Sequence, residues 1–186
     1  MTIILASQSP RRKELLGLLR LPFAVRVADI DETMDPADPY HEVARISRLK
    51  AQAAVGDPQE LVIAADTIVV CDGRILGKPK TEEEAEAMLT LLSGRAHRVM
   101  TGLTVLRGDK CISCTEVADV HFRPVSREEI LAYIRTGDPM DKAGAYGIQS
   151  GAALFVERIE GDYYNIMGLP VCRLSMILKE FLEETP

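Results

Sequence analysis

One stretch constrains the fold more than any other: Leu61 to Val70, which reads Leu-Val-Ile-Ala-Ala-Asp-Thr-Ile-Val-Val. A run this apolar and β-branched is a strand buried on both faces, the kind of strand found inside a sheet covered by helices. Asp66 interrupts it. A carboxylate buried without partners costs several kcal/mol, so Asp66 needs a cation, hydrogen bonds, or a strand end open to a ligand. The plain alternative is an aspartate facing outward from an edge strand.

The segments around this strand alternate. Thr2 to Ala6 is a short apolar strand, followed by Ser7-Gln8-Ser9-Pro10, which offers an N-cap and a proline at the first helical position. Phe23 to Ala28 reads as a second strand, and Asp38-Pro39 opens a helix running to about Val55 with Val43, Ile46 and Leu49 on one side. Asp72-Gly73 is a hairpin turn before Ile75-Leu76. Thr81 with Glu84 and Ser126 with Glu129 predict capping boxes for two helices that end at Gly94 and Gly137. Between them, Arg98 to Leu106 and Ile112 to Phe122 form an antiparallel pair. Ala152 to Ile159 reads as a further strand, and Pro170 opens a terminal helix. Strands alternating with helices, with hairpins among them, give an α/β fold with a mixed, partly antiparallel sheet and flanking helices.

With 186 residues, 47% apolar and 27% charged, the chain is expected to be one folded domain, 1–186. No apolar run approaches the ~20 residues of a membrane helix, and no basic segment with an apolar core opens the chain, so a cytoplasmic protein without membrane contact is expected. A net charge of −6 argues against direct nucleic-acid binding and requires that any anionic ligand be held by a local basic cluster. Cys111 and Cys114 form a C-x-x-C, but no second pair accompanies them and they lie in strand-like sequence, so reduced thiols are expected.

Such a basic cluster is present. Ser7-Gln8-Ser9-Pro10-Arg11-Arg12-Lys13 brings hydroxyls and three cations to the start of a helix, where free N–H groups and the dipole favour an anion. Basic residues in a first turn oppose the dipole, so stability alone would favour Asp or Glu there. A capped but solvated basic turn is the alternative. Asp29, Asp31, Glu32 and Asp35 form an acidic loop that can bring a carboxylate to a hard cation or simply face water. Gly77-Lys78-Pro79-Lys80 resembles a phosphate loop, but Asp72 and Pro79 stand where that pattern needs Gly and Ser or Thr, which disfavours a P-loop kinase or ATPase. Lys50 and Lys78 can each give a point charge to a phosphate or lie exposed. Asp141 to Gly151 is rich in glycine without a dinucleotide fingerprint. Its small residues let backbone approach a flat ligand and its Gln149 carries an amide donor and acceptor together, while the alternative is a purely structural loop.

Six segments occur in an order that resembles the Maf family of nucleoside triphosphate pyrophosphatases. They are Ser7 to Arg12, Ala65-Asp66-Thr67, Gly77-Lys78-Pro79, Ser93-Gly94-Arg95 with His97, Lys142 to Gln149, and Gly168-Leu169-Pro170. The resemblance implies an elongated two-lobed Maf/ITPase-like fold with a central cleft, a homodimer, and dependence on a divalent cation, Mg²⁺ or Mn²⁺. By the same resemblance Asp66 is the catalytic acidic residue and Glu32 an acidic cleft residue, with Asp66 either accepting the water proton or holding the metal, which Glu32 would share. Ser7, Arg11, Arg12, Lys50 and Lys78 line the triphosphate path, and Arg11, Thr67 and Gln149 bear on substrate preference. The Lys142 to Gln149 stretch is similar to members that hydrolyse dTTP and UTP, a role that keeps unwanted nucleotides out of nucleic acids. The alternatives are a 7-methyl-GTP pyrophosphatase and a nucleotide-binding regulator of septum formation with little turnover.

Overall fold

The computed structural model describes residues 2–182. Its strands join in one seven-stranded sheet in the order β2-β1-β3-β5-β6-β7, with β4 paired to β3 off this path. The strands are β1 (Ile3–Leu5), β2 (Phe23–Val25), β3 (Leu61–Cys71), β4 (Arg74–Leu76), β5 (Ala96–Arg107), β6 (Lys110–Phe122) and β7 (Val156–Glu160). The helices are α1 (Pro10–Gly17), α2 (Pro39–Ala53), α3 (Glu82–Leu92), α4 (Arg127–Ile134), α5 (Tyr163–Met167) and α6 (Val171–Leu182). The chain divides into two compact units: the first holds the chain up to Asp66, Thr101–Glu116 and the chain from Gly168, and the second holds Thr67–Met100 and Val117–Met167. No helix among the described residues is long and apolar enough to cross a membrane.

In the first unit β2, β1 and β3 are parallel, with Leu5 opposite both Val25 and Ile63. Parallel neighbours require crossovers, which α1 and α2 supply. Helix α2 is docked closely. Its Ala51 and the C-cap residue Ala54 are fully buried in a cluster with Ile4, Ala6, Val62, Ala64 and Leu106. At Gly102 of β5 a Cβ would stand 2.1 Å from Val43 O, so the helix backbone rests directly on the strand and only glycine fits. Two residues on, Ser47 Oγ and Thr104 Oγ1 share a buried hydrogen bond of 2.7 Å.

The second unit is built from hairpins and short helices. The β3–β4 turn has positive φ at Asp72 and Gly73, as a tight two-residue hairpin requires. Helix α4 carries the full capping box between Ser126 and Glu129. In α3, Thr81 caps the Glu84 N–H as expected, but the Glu84 carboxylate accepts from Lys80 N instead of Thr81 N. The expected strand at Ala152 begins later: Gly151–Leu154 is a 3-10 turn, and pairing with β6 starts at Val156. Cys111 and Cys114 both lie on β6, and their odd spacing along a strand points them to opposite faces. Both are free thiols, and burial raises the Cys114 pKa.

Candidate active site

Parallel strands place their carboxyl ends together, and β2, β1 and β3 do so in the first unit. The connection from β1 runs to β2 on one side while β3 lies on the other. A sheet that reverses its winding in this way leaves a crevice outside its strand ends, where ligands bind. Several polar side chains collect at this edge. The Ser7–Ser9 loop leaves β1, the segment carrying Glu32 leaves β2, and β3 continues past the end of its pairing with β1 to Asp66.

Helix α1 begins at that edge. The Ser9 side chain caps the Arg12 N–H, and no acidic residue occupies the first turn. Ser7 is buried, and its hydroxyl accepts from Ser9 N at 3.2 Å and from Arg12 Nη1 at 3.3 Å. Arg12 Nε also donates to Gly168 O at 2.8 Å, which fixes the plane of the guanidinium. Burial pushes the Arg12 pKa down, opposed by the negative charge of Asp66 and Glu32, while Arg11 beside it adds to the lowering. Arg12 remains a cation throughout.

Asp66 is buried, with 8% of its surface exposed. Alternation along β3 sets it on the same face as Val62 and Ala64, the face covered by α2. Lys50, in the last turn of α2, meets it there: Nζ lies 2.5 Å from Asp66 Oδ1 and 3.1 Å from Glu32 Oε1. Asp66 Oδ2 engages no partner among the described residues. Two other acids of the Asp29–Asp35 loop are held locally. Asp31 accepts from the backbone and hydroxyl of Thr33, which lowers its pKa, and Asp35 accepts from Ala37 N.

Six of the expected residues therefore gather at one sheet edge: Ser7, Arg11, Arg12, Glu32, Lys50 and Asp66. Thr67, Lys78 and Gln149 belong to the second unit. Thr67 is half-buried in β3, while Lys78 and Gln149 are exposed. Neither the Lys78 ammonium nor the Gln149 amide has a partner among the described residues, so both are available to a ligand. Other expected segments serve the framework. Ser93 Oγ accepts from Val125 N, Arg95 pairs with Asp72 at 2.5 Å, and buried His97 bonds Tyr146 OH at 2.8 Å. The sequence reading missed Tyr133 and Asp138, whose partners come from several segments.

For a metal the donor set is small. No group of three or more His, Cys, Asp or Glu side chains is clustered to hold one among the described residues. Glu32 and Asp66 share one ammonium, and two carboxylates suit a hard cation that takes its remaining ligands from water and phosphate.

Comparison with known proteins places the chain among relatives. The family model described as "Maf-like protein" matches residues 2–181. The chain is 51% identical to the dTTP/UTP pyrophosphatase of Symbiobacterium thermophilum over 181 residues, 96% of this chain and 93% of that one. It is 50% identical to the protein of the same name from a Geobacillus species over 173 residues, 92% and 93% of the two chains. Among solved structures, the fold is similar to a HAM1 protein from Coxiella burnetii, with TM-score 0.53 and 18% identity over 97% of this chain and 99% of that one. The Ham1 protein of Staphylococcus aureus has TM-score 0.52 and 16% identity over both full chains. A family model that spans residues 2–181, and relatives identical at half of their positions over nearly the whole length, leave one conclusion: the chain belongs to the Maf family.

Proposed function

We propose that this protein hydrolyses dTTP and UTP to the nucleoside monophosphate and pyrophosphate. The observation that carries the reading is the convergence, at the carboxyl ends of β2, β1 and β3, of a buried carboxylate with Ser7, Arg11, Arg12 and Lys50. Relatives of about 50% identity that are named for this activity support the same substrates.

Water attacks the α-phosphorus: its oxygen bonds to phosphorus, the bond to the bridging oxygen breaks, and the electron pair leaves on pyrophosphate. Negative charge grows on the leaving group. Arg11 and Arg12 at the start of α1, with Lys50 and Lys78, neutralise it, and a guanidinium already fixed, as that of Arg12 is, needs little reorganisation as charge develops. Ser7 and the α1 N-terminus orient the phosphates. Asp66 Oδ2 takes the water proton or, in the second form of the reading, would be a ligand of the metal that makes that water acidic. Glu32 and Asp66 would hold a Mg²⁺ or Mn²⁺ ion, whose chemistry would be to polarise phosphate oxygens. The Gln149 amide pairs with the acceptor and donor edge of a uracil or thymine, with Thr67 and Arg11 contributing to substrate choice. The same reading makes the protein a cytoplasmic homodimer, which light scattering tests.

The activity is tested with purified protein, Mg²⁺ or Mn²⁺, and a panel of dTTP, UTP, CTP, GTP and 7-methyl-GTP, with products separated by chromatography. Monophosphate and pyrophosphate are expected, with dTTP and UTP leading and turnover lost in EDTA. Release of diphosphate and phosphate overturns the cleavage site. Preference for 7-methyl-GTP overturns the substrate reading, and binding without turnover replaces the enzyme by a nucleotide-binding regulator.

A further inference from the structure

The loop that carries Gln149 is built around a carboxylate that no part of the proposed reaction uses. Asp138 follows α4 and is partly buried. Its Oδ2 accepts from the Tyr133 hydroxyl and from the Ser150 hydroxyl, and its Oδ1 accepts from Lys142 Nζ at 2.9 Å. Burial raises the Asp138 pKa, but the hydrogen bonds from Ser150, Tyr133 and Lys142 outweigh it and hold the group below the usual carboxylate range.

Each of its partners carries the restraint further. Tyr133 lies in the last turn of α4, is buried, and packs edge-on against Phe155 with centroids 5.5 Å apart, so its ring is fixed. Its oxygen, while donating to Asp138, accepts the Gly147 N–H at 3.1 Å. Lys142 gives all three ammonium hydrogens within the loop, to Asp138 O, Asp138 Oδ1 and Asp141 Oδ1. Its stem lies against Gly147, where a Cβ would stand 2.6 Å from Lys142 Cε and 2.7 Å from Ser150 Oγ. Gly147 and Ser150 are thereby held on either side of Gln149, which stays exposed with its amide unengaged among the described residues. Just upstream, Ala145 is buried at φ 60°, a conformation alanine adopts only when its surroundings enforce it.

We propose that Asp138 is a positioning residue for base recognition: through Tyr133, Lys142 and Ser150 it fixes the backbone on both sides of Gln149 and thereby sets the enzyme's preference for pyrimidine nucleotides. This rests on the reading that Gln149 meets the base. A misplacement of about an ångström in such a contact is enough to lose a large factor in rate, so the supporting carboxylate matters although it touches no substrate.

The test compares Asp138→Asn, Ser150→Ala, Gln149→Ala and Asp138→Asn combined with Gln149→Ala, using KM and kcat for dTTP, UTP and GTP. Gln149→Ala is expected to lower the dTTP-to-GTP ratio of kcat/KM. Asp138→Asn is expected to lower it about fivefold to tenfold, through a raised KM for dTTP with kcat for GTP nearly kept. Asp138→Glu restores part of the ratio, and Asp138→Asn adds nothing once Gln149 is alanine. If Gln149→Ala leaves the ratio unchanged, the base reading itself fails. If Gln149→Ala lowers it but Asp138→Asn and Ser150→Ala do not, or lower turnover of all nucleotides equally, the positioning role is overturned. Should Asp138→Asn fail to fold, Ser150→Ala alone decides by the same ratio.

Discussion

Lys50 Nζ lies 2.5 Å from Asp66 Oδ1 and 3.1 Å from Glu32 Oε1, so a single ammonium from α2 ties together two carboxylates carried on β3 and on the segment after β2. Asp66, inside an apolar strand, thereby finds a cationic partner. The pair is a structural element and, in the proposed reaction, a functional one, and the two roles separate by mutation.

Asp66→Asn keeps the shape and removes the charge. Turnover of dTTP is expected to fall by about 10²–10⁴-fold, the usual worth of a positioned acid or base, with circular dichroism unchanged. Monophosphate release measures it, and near-wild-type turnover removes Asp66 from the mechanism.

Lys50→Met strands the Asp66 carboxylate. The side chain of Lys50 is 16% exposed, so the loss falls at the low end for a broken buried pair, about 3 kcal/mol in urea denaturation. Combining it with Asp66→Asn returns most of that stability but no activity, because two neutral groups no longer need each other. A double variant as unstable as Lys50→Met contradicts the pairing.

Gly102→Ala drives a methyl into the backbone of α2 at Val43. Backbone cannot rotate away as a side chain does, so the helix must lift, at a cost of about 3 kcal/mol. The Ser47–Thr104 bond two residues on goes with it, and Lys50 shifts on the same helix. A lower denaturation midpoint together with reduced kcat/KM is expected; an unchanged midpoint refutes the close docking.

His97 gives a pH dependence. It is 3% exposed, bonds Tyr146 OH through Nε2, has no partner on Nδ1, and packs edge-on against Phe122. Burial, helped by His121, lowers its pKa from 6.5 to about 4. The unfolded chain therefore binds a proton below pH 6.5 that the folded chain refuses until about pH 4. Stability is full above pH 6.5 and falls by about 3 kcal/mol on acidification toward pH 4. His97→Gln is expected to flatten denaturation midpoints between pH 6.5 and 4.5. Below that window Glu60 and Glu129, held at about 2 by Arg26 and Arg123, lose their own contribution in either protein. A wild-type slope in His97→Gln assigns the effect elsewhere.

Much of the fold is legible along the chain because its signals act over three or four residues. Ser9, Asp38, Thr81 and Ser126 each cap the helix they precede, and Asp72-Gly73 turns the hairpin it suggested. The misreadings occur where neighbours compete. Glu84 finds the free Lys80 N–H instead of its cap, and Gly151–Leu154 coils before β7, with Gly151 lying against the Tyr133 ring.

Sequence alone determined the α/β class, the strand bearing Asp66, and the basic helix start beside which it had to find a partner, since burial of a charge is costly wherever it happens. Which cation answers Asp66, which of four loop acids turns to Lys50, and that Asp138 braces the Gln149 loop were decided only by tertiary structure. Those partners come from separate segments, and a carboxylate's environment is set by distance in space, which no local pattern encodes.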